Sequence, residues 1–271
     1  MKANRLFKIE LAKIAHYPFF WILSGITAFL ITIFIFGMAY LKHVEVNTIQ
    51  IQQQTDINTE NLYQTLPFFQ VASWIASWFN IFFAVLIMQI VAMEYNFRTL
   101  KQHIIDGIKP NDFVTSKLLL TLFLAISFAI FVIIVTLIAI LLLLPNQPNG
   151  IFSGLQFISA YFFQMLYTMI FAMFLSIATH NIAAAISLYI GWGIFEKIMN
   201  FSLNSMGYSN IASALPLNNI SKIVQSPNIL FNGYSEPIDT IITPEFWIAS
   251  AYAVAFIFIC YFFSDFSFNF I

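Results

Sequence analysis

Six long apolar runs, separated by short polar segments, dominate the pattern along the chain: 18–41, 69–93, 118–144, 155–178, 182–201 and 246–263. A helix needs about 20 mostly apolar residues to cross the hydrocarbon of a bilayer, so each run predicts a membrane-spanning helix. Only Thr179, His180 and Asn181 separate the fourth run from the fifth. One continuous helix there would be about twice the thickness of a bilayer, so the pattern predicts a tight reversal. Gly37-Met38-Ala39 looks vaguely like a cleavage site at the end of the first run. The apolar stretch before it exceeds the roughly 7–15 residues of a signal peptide, and five more runs follow, so an uncleaved first helix is expected. The fold class predicted is all-α: one polytopic membrane domain over 1–271, with six transmembrane helices.

Three polar segments carry patterns of their own. Residues 1–17 form a basic arm before the first run. In 94–117, Phe97, Leu100 and Ile104 recur at helical spacing with Ile105 and Ile108 alongside, while Arg98, Lys101, Gln102 and Asp106 fall on other faces. That spacing predicts an amphipathic helix from Glu94 to Asp106. Gly107 is a natural stop, and Pro110 prevents continuation. Asn111 or Asp112 is then placed to cap the third span, with Lys117 at its membrane entrance, able to snorkel to headgroups. Residues 42–68 are Gln-rich, with an alternating set at Val44, Val46, Ile49 and Ile51 that hints at a strand. In 202–244, "ALPLNNISKIVQSP" puts Leu217, Ile220, Ile223 and Val224 on one helical face, which fits a short interfacial helix or an ordinary surface loop.

Composition agrees with a lipid environment: 60% of residues are hydrophobic and 8% charged, against about 25% charged in a soluble domain. Net charge is −1, which argues against a nucleic-acid partner, since that needs a dedicated basic face. Lys2, Arg5, Lys8 and Lys13 lie in the arm, and Arg98, Lys101, Lys109 and Lys117 lie between runs two and three. Only Lys42, Lys197 and Lys222 fall on the other side. The asymmetry predicts that the arm, the 94–117 segment and both termini are cytoplasmic. The lone Cys260 lies in an apolar run and has no cysteine to pair with.

Several chemistries have no residues to carry them. No P-loop pattern is present, so the chain is not expected to bind ATP in that way. His16, His43, His103 and His180 are scattered, without metal-ligand spacing. No G-x-S-x-G elbow supports an intramembrane hydrolase. No catalytic residue, cofactor or metal is therefore expected, and the chain is not expected to be an enzyme by itself. Spans one, three, four and six hold no ionisable group in their middles, where ion and proton paths are usually marked. Glu94 stands at the end of span two, and Glu196 and Lys197 are neighbours toward the outer end of span five. No span shows the regular polar stripe of a passive channel.

The spacing of Glu94 with Arg98-Thr99, then Asp106-Gly107 and Pro110, then Lys117, resembles the cytoplasmic loop of ABC-2-type exporter permeases. That family usually has Gly where Arg98 stands, and an Arg after the proline where this chain has Asn111 and Asp112. The arm "FKIELAKIAHYPFFWIL", with Glu10, Leu11, Phe19, Phe20 and Trp21, is similar to the family's interfacial arm. "LPLNNISKI" is similar to a segment between its spans five and six. The resemblance implies an N-terminal interfacial helix and a cytoplasmic coupling helix between spans two and three. It implies a permease subunit in the bacterial cytoplasmic membrane, paired with a second permease and with separate cytoplasmic ABC ATPases that bind ATP and magnesium. Contact with the ATPase would fall on Glu94, Arg98, Thr99, Lys101, Asp106 and Gly107. The competing expectation is a structural or assembly membrane protein of an envelope machine, which binds partners and moves nothing.

Overall fold

The computed structural model describes residues 3–52, 68–96, 110–143, 154–224 and 244–269. Every regular element among them is helical: α1 (Ala3–Ala15), α2 (Pro18–Gln52), α3 (Phe68–Trp78), α4 (Asn80–Asn96), α5 (Pro110–Leu143), α6 (Gln156–Thr179), α7 (Ile182–Ser205), α8 (Ser209–Ser213), α9 (Pro216–Ile223) and α10 (Pro244–Asn269). Five of these are long and apolar enough to cross a membrane. A further span is made if α3 and α4, which meet at a 44° bend, count as one broken helix. The protein is a polytopic helical membrane protein.

The bundle is built around α6. Of its most apolar stretch 67% is buried within the chain, against 11% for α7 and for α10, so those two run along the outside. The Ser176 hydroxyl of α6 donates to the Met88 carbonyl of α4 at 3.0 Å, which fixes the register of the central pair. On its other side α6 meets α10 through aromatic rings, with Phe174 and Phe256 stacked at 5.4 Å and Phe171 to Phe256 at 5.1 Å. Hydroxyls inside the helices turn back on their own backbone: Thr27 donates to the Leu23 carbonyl, Ser73 to Phe69, Thr136 to Val132 and Thr168 to Gln164. These hydroxyls are thereby satisfied where no water competes.

Three local sequences differ from expectation. The alternating Val44–Ile51 set is helical and lies within α2. No Gly or Pro interrupts the chain between Leu41 and Gln52, so a nucleated helix continues by adding one bond per residue. α5 begins at Pro110, eight residues ahead of the apolar run. Proline suits the first helical position, because its missing N–H would have no partner there. Asn111 and Asp112 therefore lie in the first turn instead of capping it, where Asp112 complements the positive helix end. The second apolar run is not one straight helix. Phe79 N–H bonds the Ala76 carbonyl at 3.1 Å, and Phe82 N–H bonds Phe79 at 3.0 Å, tightening the backbone around the break.

The reversal between α6 and α7 follows its sequence closely. His180 adopts φ 53° and its N–H closes on the Ser176 carbonyl at 3.0 Å. Asn181 then caps α7, its side-chain oxygen accepting from Ala183 N–H at 2.9 Å. The short-helix reading of "LPLNNISKI" also holds: α9 spans Pro216–Ile223, with Ile220 and Ile223 buried and Leu217 partly covered.

Candidate functional site: a buried ion ring at the arm

The arm helix α1 ends in an elbow that the sequence specifies. Its last carbonyls have no partner further along the helix, so side chains serve them: the His16 ring nitrogen Nδ1 pairs with the Ala12 carbonyl at 2.8 Å, and Trp21 Nε1 donates to Ala15 at 3.0 Å. Pro18 then starts α2. The Gln89 side-chain amide donates to the Tyr17 hydroxyl at 2.7 Å, pinning the elbow to α4. This geometry turns one face of α1, with Glu10 and Ile14, into the bundle.

Four charged side chains meet beneath it. Lys117 Nζ donates to Glu10 Oε2 at 2.5 Å and to Glu94 Oε1 at 2.6 Å. Lys13 Nζ donates to Glu10 Oε1 at 3.1 Å and to the same Glu94 Oε1 at 3.0 Å. The four alternate in sign around a closed ring that carries no net charge. Lys117 is 1% exposed, and its ammonium also lies 5.5 Å from the centre of the Phe113 ring. Glu10 and Glu94 are 5% and 7% exposed, while Lys13 opens to the surface. Charges this deep are tolerated only when paired and hydrogen-bonded. Lys117, expected to reach outward to headgroups, turns inward, because α5 starts early enough to place it beside two carboxylates.

The ring has a topological consequence. Glu94 lies in the last turn of α4, and Lys117 eight positions into α5. The Glu94–Lys117 bridge thus ties together both roots of the segment 97–109, and Glu10 ties the same point to the arm. Residues Arg98, Thr99, Lys101, Asp106 and Gly107, named as contact residues, lie outside the described residues, as does most of the amphipathic helix predicted there. Of that set only Glu94 is placed, and its Oε1 is taken up by Lys13 and Lys117. Sequence reading named Glu94 and Lys117 as the ends of one motif and Glu10 in the arm, but never joined the three. Their only shared signal was position: all three fall on the side assigned to the arm. Beside the ring, Tyr95 of α4 lies against His180, ring centres 4.4 Å apart. Partial burial pulls the His180 imidazole below its ordinary pKa, toward the neutral form.

The opposite end of the bundle resolves the role of Glu196. Its carboxylate is 2% exposed. Trp192 Nε1 donates to Oε1 at 2.5 Å, and the backbone N–H groups of Leu217 and Asn218 donate to Oε2 at 2.8 and 3.0 Å. Helix α9 has no cap from its own Leu215, so Glu196 supplies one from α7. Asn218 and Asn219 side chains bond the Ala212 and Ser213 carbonyls, and the Tyr252 hydroxyl bonds Ala214 at 3.1 Å. Among the described residues no cluster of His, Cys, Asp and Glu could hold a metal ion. No family model, curated protein or solved structure matches the chain.

Proposed function

We propose that this chain is the membrane permease subunit of an ATP-driven ABC transporter of the exporter kind. Six spans are counted with α3 and α4 as one. Both termini face the cytoplasm of a bacterial cell, and the chain sits in its cytoplasmic membrane. Two permeases, alike or different, pair with two cytoplasmic ATPases that bind ATP and magnesium. The observation that supports this reading is the ion ring: a segment whose two roots and neighbouring arm are joined at one buried point moves all three as a body when pushed. Such rigid-body transmission is what coupling of nucleotide-driven closure to a permease requires. Arg98, Thr99, Lys101, Asp106 and Gly107 would meet the ATPase, with Gly107 permitting close approach. Glu94 would position that segment from behind.

The test is whether an ABC ATPase is encoded beside the gene and co-purifies with the chain, and whether the complex turns over ATP in proteoliposomes. Gly107→Glu is expected to lose the ATPase while the chain still inserts. Undiminished ATPase binding and transport in Gly107→Glu would overturn the assignment. A partner complex with no nucleotide-dependent step would favour the structural or assembly protein instead.

A further inference from the structure

Beside the Glu196 cap, a cleft of about 350 Å³ opens between the start of α4, the outer half of α7 and helix α9. Ile81, Ile190, Ile194 and Leu217 line it, and Lys197 and Asn218 stand on its wall. Gly193 leaves the floor open: a Cβ there would only graze Leu217 Cδ1, at 3.9 Å. The size falls within the range of roughly 300–1,000 Å³ typical of small-molecule sites.

Lys197 is the unusual member. It lies eight residues before the end of α7, about 12 Å along the helix axis. Its neighbours Ile194, Phe195, Ile198 and Phe201 are all exposed apolar side chains, so it stands in an apolar face of the chain. Among the described residues Lys197 forms no ion pair. An ammonium set among apolar side chains near the end of a span is favoured by an anion beside it. Glu196, the carboxylate on the cleft wall, forms no ion pair with Lys197; its oxygens accept from Trp192 and the α9 backbone instead.

We propose that this cleft binds one anionic phospholipid, its phosphate on Lys197 and the upper part of one acyl chain against Ile81, Ile190, Ile194 and Leu217. The site is independent of any ATPase, so it stands or falls separately from the transport reading. The probe is phosphatidylglycerol mixed with phosphatidylcholine in nanodiscs, and native mass spectrometry of the released full-length chain counts the lipid retained. The wild type is expected to retain one phosphatidylglycerol in preference to phosphatidylcholine. Lys197→Gln, and Gly193→Leu, which fills the floor and keeps the charge, should each lower occupancy at least fivefold. Lys197→Arg should retain the lipid, which shows that the position tolerates change, and Lys222→Gln, on the exposed side of α9, should match the wild type. Equal retention by Lys197→Gln and the wild type would overturn the proposal. So would indifference to headgroup charge, displacement of the lipid by inorganic phosphate alone, or a loss of self-association in Lys197→Gln with lipid occupancy unchanged, which would assign this face to a second copy.

Discussion

Two buried carboxylate sites, one at each end of the bundle, solve the same problem in different ways. At the arm, Glu10 and Glu94 face full positive charges from Lys13 and Lys117, across separations of 107, 81 and 23 residues in sequence for the long-range pairs. At the far end, Glu196 faces only neutral donors, the Trp192 indole and two backbone amides, 21 and 22 residues away for the latter. The first arrangement cross-links elements from across the chain, and each member is indispensable because its removal strands a charge. The second holds down one local helix. A rigid joint is therefore expected at the arm and a detachable cap at the far end.

The sharpest test of that contrast is Lys117→Met. It leaves two buried carboxylates with the single, half-open Lys13. Stranding a buried charge costs about 3–5 kcal/mol, enough to lower the thermal unfolding midpoint and the yield of folded protein markedly. Adding Glu10→Gln to Lys117→Met should recover part of the loss, a coupling that a double-mutant cycle in detergent would read. Additive effects of the two substitutions would break the picture of a joined ring.

Next in size is the cap. Glu196→Ala leaves the N–H groups of Leu217 and Asn218 without their acceptor, at about 1–3 kcal/mol. Glu196→Gln keeps an acceptor oxygen and should cost less, which no substitution of the ring carboxylates should match. In a Cys260→Ser background, a cysteine placed at the buried Ile220 should be modified faster in Glu196→Ala, with no change at the arm end. Smaller again is Tyr17→Phe. It removes the Gln89 bond at the elbow, worth about 0.5–1.5 kcal/mol, and should lower the unfolding midpoint slightly without loosening α9.

Much of the fold was readable because length alone marks a membrane helix. The long apolar runs, the Thr179–Asn181 reversal and the amphipathic α9 all follow from patterns within one window. What escaped reading depends on partners far away in sequence. The bend at Phe79 has no Pro or Gly to announce it. The alternation from Val44 to Ile51 imitated a strand because period two and a helix continued from an apolar span are indistinguishable over eight residues. The ring needed α5 to begin at Pro110: had the helix begun at Leu118, Lys117 would have lain outside it. The function of Glu196 was invisible because the two amides it caps belong to a different helix.

The smallest effect concerns His180, where the two long helices α6 and α7 reverse on the arm side. Its ordinary pKa is 6.5, and burial against Tyr95 lowers it in the folded chain. The sign follows from linkage. The unfolded chain takes up the proton more readily, so acid favours unfolding. The stability tied to the neutral ring is fully present above the ordinary value and is lost as pH falls through 6.5 and below. The thermal midpoint of the wild type should therefore drop between neutral pH and mildly acidic pH. His180→Asn, which tolerates the left-handed backbone of this position and carries no proton to gain, should remove that part of the slope. A wild-type slope that survives His180→Asn would assign the pH sensitivity to a group other than His180.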